Sequence, residues 1–328
     1  MIRTIALIAL APAMAVAQQP AAPLKPATAS VAAGFRIINS LHELRDGRLL
    51  ISDVPTGMFG VADFATGKFT SVPGVRPGRI TALAGDTSIV LRTGEDWVFF
   101  VGGHPGGMLP AGNPVALVAT ILRGADSIGH VLTLGRLARN DSMPVIRVSR
   151  VTAAQDTIAW IRYPKAELTE DYLVREQADL ALDGWTAVLR GAPYRVDWRS
   201  PDGRWTFGAP IPVPAIKVDA REKQVVMTRR AFGGTVIPSE SAMIWSETVP
   251  AFTTGTALLS PDGKVLVRRT LSADFPDVRY DVISRRGQFE RQVTMGPHEQ
   301  IIGFGAKSVY VAVTGKDSTQ VIQRHPWP

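Results

Sequence analysis

The chain has 328 residues, no cysteine, 36 lysines and arginines against 29 aspartates and glutamates, and a net charge of +7. Without cysteine there is no disulfide framework, thiolate metal site, cysteine nucleophile or lipid-modified cysteine, so stability must come from a large core, which a chain of this length can build. The positive charge is scattered, with no run longer than pairs such as Arg229-Arg230, Arg268-Arg269 and Arg285-Arg286; this reads as solvated strand faces and argues against a nucleic-acid partner.

Met1-Ile2-Arg3, the apolar run Ile5–Ala11 and the small-residue site Ala15-Val16-Ala17 read as an export signal over 1–17, cleaved after Ala17. The protein is therefore expected in a periplasm or outside the cell. No later stretch approaches the roughly 18 apolar residues that a membrane helix needs. Residues 18–31, rich in proline and alanine, read as a disordered linker, and 32–328 as one folded domain.

The folded part reads as short β segments between turns. The first set is 41–44, 48–53, 58–63 and 68–72, and the second is 79–83, 88–92, 96–101 and a weak strand near Met108. The third is 116–122, 130–135, 145–151 and 156–161, and the fourth is 178–182, 186–190, 195–199 and 205–209. A helix is then expected over 220–231. Asp219-Ala-Arg-Glu222 is a capping-box pattern ahead of it, and Gly233-Gly234 stops it. The fifth set is 252–259, 264–269, 280–284 and 288–294. The sixth has three strands, 300–303, 308–314 and 320–324, with Phe35–Asn39 as the strand that closes it.

A hairpin text recurs through these sets: Leu44-Arg-Asp-Gly-Arg48, Leu182-Asp-Gly-Trp185, Ser200-Pro-Asp-Gly-Arg204 and Ser260-Pro-Asp-Gly-Lys264. The last reads as a tight reversal at Asp262-Gly263 between strands with alternating Val265 and Val267. A hairpin repeated along a long chain implies radial repetition of small sheets. With these hairpins and an export signal, the chain resembles the six-bladed β-propellers of the TolB-like and NHL-like group. The resemblance implies an all-β fold of four-stranded antiparallel blades, with the helix as an insertion between blades four and five. A seventh blade is open if 211–250 hides one. Such domains are often monomers.

The chemistry is less legible. Some six-bladed propellers are calcium-dependent lactonases and esterases with the metal in the channel, which would call for oxygen ligands such as Glu43, Asp183 and Glu299 here. Nothing in their spacing ties these three together. The five histidines are not at metal-ligand spacing, there is no Gly-x-Ser-x-Gly elbow, and Gly102–Gly107 reads as a turn. The acidic series Glu167, Glu170, Asp171, Glu176, Asp179 could bind a cation or a basic partner, but reads first as one solvated loop. The aromatics Tyr163, Tyr172, Tyr194 and Trp198 are candidates for a binding surface or for inter-blade core. The inserted helix, with Arg221 and Arg229, is expected to cap one end of the channel or dock a partner. The preferred reading is an exported binding module for a protein, peptide or glycan with no cofactor. The alternative is a calcium-dependent hydrolase.

Overall fold

The structure, a computed structural model, describes residues 21–83, 85–92, 97–108, 121–135, 141–164, 171–232, 239–253, 255–273, 275 and 277–327. The expected export signal lies outside them.

The first two strands are β1, Ala22–Pro23, and β2, Ala29–Phe35. The first meander follows as β3 Ile38–Glu43, β4 Leu49–Asp53, β5 Met58–Asp63 and β6 Lys68–Ser71. The second is β7 Gly78–Ala82, β8 Thr87–Arg92, β9 Trp97–Val101 and β10 His104–Met108. The third is β11 Ile121–Ala125, β12 His130–Leu134, β13 Ser142–Ser149 and β14 Gln155–Arg162. The fourth is β15 Gln177–Leu180, β16 Thr186–Gly191, β17 Tyr194–Arg199 and β18 Trp205–Thr206. The fifth is β19 Ala257–Leu259, β20 Val265–Arg268, β21 Val278–Ile283 and β22 Phe289–Met295. The sixth is β23 Glu299–Phe304, β24 Ser308–Thr314 and β25 Gln320–Pro326, with β2 as its outer strand. The fold is an all-β propeller; among the described residues its meander units lie in five sheets of five, four, eight, four and four strands, the eight-stranded one joining the third and fourth meanders through β11 and β15.

Each apolar cluster lies between consecutive units. Trp198, Val196 and Leu189 pack on Val267, Ile283 and Phe252. Tyr310, Ala312 and Ile322 pack on Leu49, Ile51 and Ala62. A sheet sandwiched between two neighbours is buried on both faces, so its middle strands lose the in-out alternation of a half-exposed strand. All five residues of β4 are buried, as are Val265, Leu266 and Val267 in succession. This corrects the alternating reading of the Val265–Val267 strand.

The recurring hairpin is also not a two-residue reversal. Gly47, Gly184, Gly203 and Gly263 donate to Leu44, Ala181, Ser200 and Ser260 three residues back, at 2.9–3.0 Å. Each glycine sits at positive φ, +77° to +94°. That is a type I turn closed by a left-handed glycine, which a glycine adopts without steric cost. In the Ser-Pro-Asp-Gly copies the serine hydroxyl closes the loop, accepting from Arg204 N at 3.1 Å and from Lys264 N at 3.0 Å.

Other expectations need correction. The linker over 18–31 is partly structured: β1 pairs in parallel with β22, and β2 begins at Ala29 and pairs with β25. The closing strand is thus β2, earlier than 35–39, because β25 presents an edge that residues 29–35 reach first. The glycine-rich stretch turns at Gly102-Gly103 and then forms β10. Between 211 and 250 the described residues form the helix Ala220–Phe232, a short 3-10 turn at Glu240–Ala242 and one bridge, Lys217 to Thr248, with no further meander. Asp219 caps the helix, its Oδ1 accepting from Arg221 N at 2.9 Å and Glu222 N at 3.0 Å. The capping box is only half made: Glu222 turns outward and accepts from Ser272 Oγ and Ala273 N, both at 2.6 Å.

Candidate functional site

The inner strands β3, β7, β11, β15, β19 and β23 surround a central channel. A cavity opens at each end of it. β3 runs from one cavity, at Ile38 and Asn39, to the other, at His42 and Glu43. β23 does the same, from Gln300 and Ile301 to Phe304.

The first cavity, about 830 Å³, lies under the insertion, with Val226 of the helix and Asp171–Leu173 in its wall. Two buried carboxylates tie these segments to their neighbours. Glu222 bonds the 272–273 loop, and Asp171 accepts from Ser246 N at 2.7 Å and Ser246 Oγ at 2.8 Å. Val226 is the helix residue in the lining of this cavity.

The second cavity, about 740 Å³, opens on the face that carries the inner hairpins. Its rim is Leu44, Arg45, Gly47, Ala181–Asp183, Ser260-Pro261 and Gly305–Ser308, and its wall carries His42, Arg79 and Arg123. Arg79 and Arg123 stand on adjacent inner strands, β7 and β11, and Asp179 on the next, β15. Burial among the blades lowers the Arg79 pKa, Arg123 lowers it further, and Asp179 opposes. Burial raises the Asp179 carboxyl against the pull of Arg123, Arg79 and a hydrogen bond from Gln177 Nε2. Among the described residues neither guanidinium has a hydrogen-bonded acceptor, and the buried Nε of Arg123 has none at all. His42 Nδ1 lies 2.5 Å from Ser88 Oγ. Burial lowers its pKa more strongly than Asp86 and Glu43 raise it, so the ring is neutral at pH 7. Ser88 is fully buried and orients the ring.

Of the expected metal ligands, Glu43 and Asp183 line the second cavity and Glu299 does not. Glu43 accepts from Tyr310 OH and from Ala306 N, Asp183 pairs with Arg285, and Glu299 accepts from Gly296 N at 2.8 Å. Among the described residues no three His, Asp or Glu side chains are grouped to hold a metal ion.

The aromatic candidates separate as well. Trp198 is fully buried, donating from Nε1 to Ser284 O at 2.9 Å. Tyr194 is core too, its hydroxyl donating to Asp281 Oδ2 at 2.9 Å; burial and then Asp281 push its pKa well up. Tyr163 lies under the Arg175 guanidinium, 4.3 Å from the ring centre. Tyr172 lines the first of the two cavities, and the other three line neither. Arg221 is exposed on the first turn of the helix, and the Arg229 side chain lies outside the described residues. The acidic series is not a solvated loop over its described part. Asp171 is clasped by Ser246, Glu176 pairs with Arg190 at 2.9 Å, and Asp179 faces the channel cations.

Sequence reasoning missed Arg79, Arg123 and Gln177, and read Asp179 as part of a solvated loop. The available signal was a charged or amide residue inside an inner strand, as in Gly78-Arg-Ile-Thr-Ala82 and Gln177-Ala-Asp-Leu180, where a strand between two blades otherwise carries small or apolar residues.

No protein-family model matches the chain, and no curated protein matches it in sequence. Among solved structures it is similar to a luciferin-regenerating enzyme, at 13% identity and TM-score 0.45, over 89% of this chain and 92% of that one. It is similar to the calcium-binding protein regucalcin of Agrobacterium tumefaciens, at 9% and 0.41, over 94% and 97%. It is also similar to a PQQ-bound aldose sugar dehydrogenase of Streptomyces coelicolor, at 13% and 0.44, over 93% and 99%. These are likenesses of fold.

Proposed function

We propose that this chain is an exported propeller that binds a protein, peptide or glycan at the hairpin-side mouth of its channel. The observation that carries this reading is the second cavity. It is about 740 Å³, in the range of small-ligand sites, and its polar wall is basic. A calcium-dependent lactonase or esterase would need several oxygen ligands converging in the channel. Glu43, Asp183 and Glu299 are each engaged elsewhere, and Asp179 already has two guanidinium groups acting on it. These residues do not suit a divalent cation.

The test is thermal unfolding of residues 18–328 with peptide and glycan panels, with calcium, and after chelation. A ligand that binds only the folded state raises the midpoint. The reading expects such a rise with a peptide or glycan, lost in Leu182→Trp, which fills the mouth with an indole at an exposed rim position. A calcium-dependent rise that chelation reverses, with none from the panels, would overturn it in favour of the hydrolase.

A further inference from the structure

Resting on that reading, we propose that the ligand carries an anionic oxygen group, a carboxylate or a phosphate, and that Arg79 and Arg123 hold it. The two guanidinium groups come from neighbouring inner strands and sit close enough to act on each other's charge. Like charges brought together in a partly dehydrated lumen repel, and a buried cationic donor without an acceptor is costly. Asp179 offsets one of the two charges through space, and it is itself bonded to Gln177. That leaves the pair with a net positive charge and with donors, Arg123 Nε among them, that no described residue satisfies.

The surroundings do not supply the missing anion. Of the rim carboxylates, Glu43 is taken by Tyr310 and Ala306, and Asp183 by Arg285. Lys307 adds a further cation to the lining. An oxyanion entering from the hairpin face would accept from both arginines in the fork geometry that guanidinium groups favour. It would also relieve their repulsion. Arg79 and Arg123 line the cavity at the hairpin face and neither lines the one at the other end, which makes the hairpin mouth the entry for such a group.

The probes are inorganic phosphate, acetate and citrate, with glucose as a neutral control, titrated at constant ionic strength and followed by the unfolding midpoint and by calorimetry. The expected result is saturable binding of phosphate or of a carboxylate, and which of the two binds identifies the group. Arg79→Gln and Arg123→Gln should each weaken binding about tenfold or more, as losing a charge-assisted hydrogen bond does. Arg204→Gln, at an exposed outer hairpin, should leave binding unchanged. Circular dichroism and the unliganded midpoint establish that the variants fold. If a glutamine variant does not fold, Arg79→Lys and Arg123→Lys take its place, keeping the charge and losing the fork, with weakened binding expected. Binding of no anion, or binding that persists in the Arg79→Gln/Arg123→Gln double variant, would overturn the proposal. A neutral ligand that the double variant still binds and Leu182→Trp does not would overturn only the anion assignment. If no ligand responds to Leu182→Trp, the mouth itself is not the binding site.

Discussion

Gln177 joins the inner strands of the fourth and fifth meanders through both ends of its amide. Its Nε2 donates to the Ala257 carbonyl at 3.0 Å, and its Oε1 accepts from the Ala257 N–H at 3.4 Å. The side chain thus imitates a strand pairing across a seam, and the same Nε2 reaches Asp179. Truncation leaves two buried backbone groups without partners, which costs about 1–3 kcal/mol. Gln177→Ala should lower stability by about that amount in urea unfolding, with the slope unchanged. No loss would mean that water replaces the amide.

Gly124 is where the third and fourth meanders meet, pairing in parallel with Leu180. Its φ is +155°, and a Cβ there would lie 2.6 Å from the Leu180 carbonyl oxygen, 3.0 Å from its nitrogen and 3.1 Å from its Cβ. Gly47, at φ +83°, has nothing within 4 Å. Gly47→Ala should therefore cost about 1 kcal/mol, the strain of a left-handed alanine alone. Gly124→Ala should cost more, because the two strands must also separate. Equal midpoints for the two variants would contradict this.

Asp281 is fully buried and accepts from Arg269 Nη1 at 3.0 Å, Tyr194 OH at 2.9 Å and Gln292 Nε2 at 2.8 Å. Removing one partner of a buried pair strands the other charge, at about 3–5 kcal/mol. Asp281→Ala should show a loss of that order by denaturant unfolding. Asp202→Ala breaks an exposed pair with Arg204 and should cost no more than about 1 kcal/mol.

Two aspartates respond to pH with opposite signs. At Asp262 burial alone would raise the carboxyl, but hydrogen bonds from Ser260, from Trp327 and from Lys264 outweigh it and the pKa falls below 3.8. Its stabilisation is thus present above the unfolded value and is lost as pH drops through the folded one. Trp327→Phe removes the 3.0 Å indole bond and should flatten the acid limb of a midpoint–pH curve below about pH 4. Asp179 is raised by burial, so the folded state holds its proton longer, and stability falls as pH rises from 3.8 through the folded value. Asp179→Asn should remove that decline. A curve unchanged in both variants would show that neither group is linked to unfolding.

The hairpin text carried much of the fold. Asp-Gly at 46–47, 183–184, 202–203 and 262–263 marks positions where only a left-handed residue closes the turn, a local requirement that a sequence can show. The helix start at Asp219 was legible for the same reason. Tyr194 and Trp198 show the limit. A large aromatic on a strand is equally suited to a channel mouth or to an inter-blade core, and only packing on Phe252 and Val267 placed these two inside.

Propensity, turn geometry and composition act over a few residues, so the all-β class, the repeated hairpins, the helix near 220–231 and the absence of any thiol chemistry were legible in the chain. The packing of the sheets set the rest: β2 completes the sixth meander, Tyr310 and Arg285 engage Glu43 and Asp183, and Arg79 and Arg123 line one cavity. Residues 44 positions apart become neighbours there because each meander returns its first strand to the same axis. That proximity comes from how the sheets pack around the channel, and no local pattern encodes it.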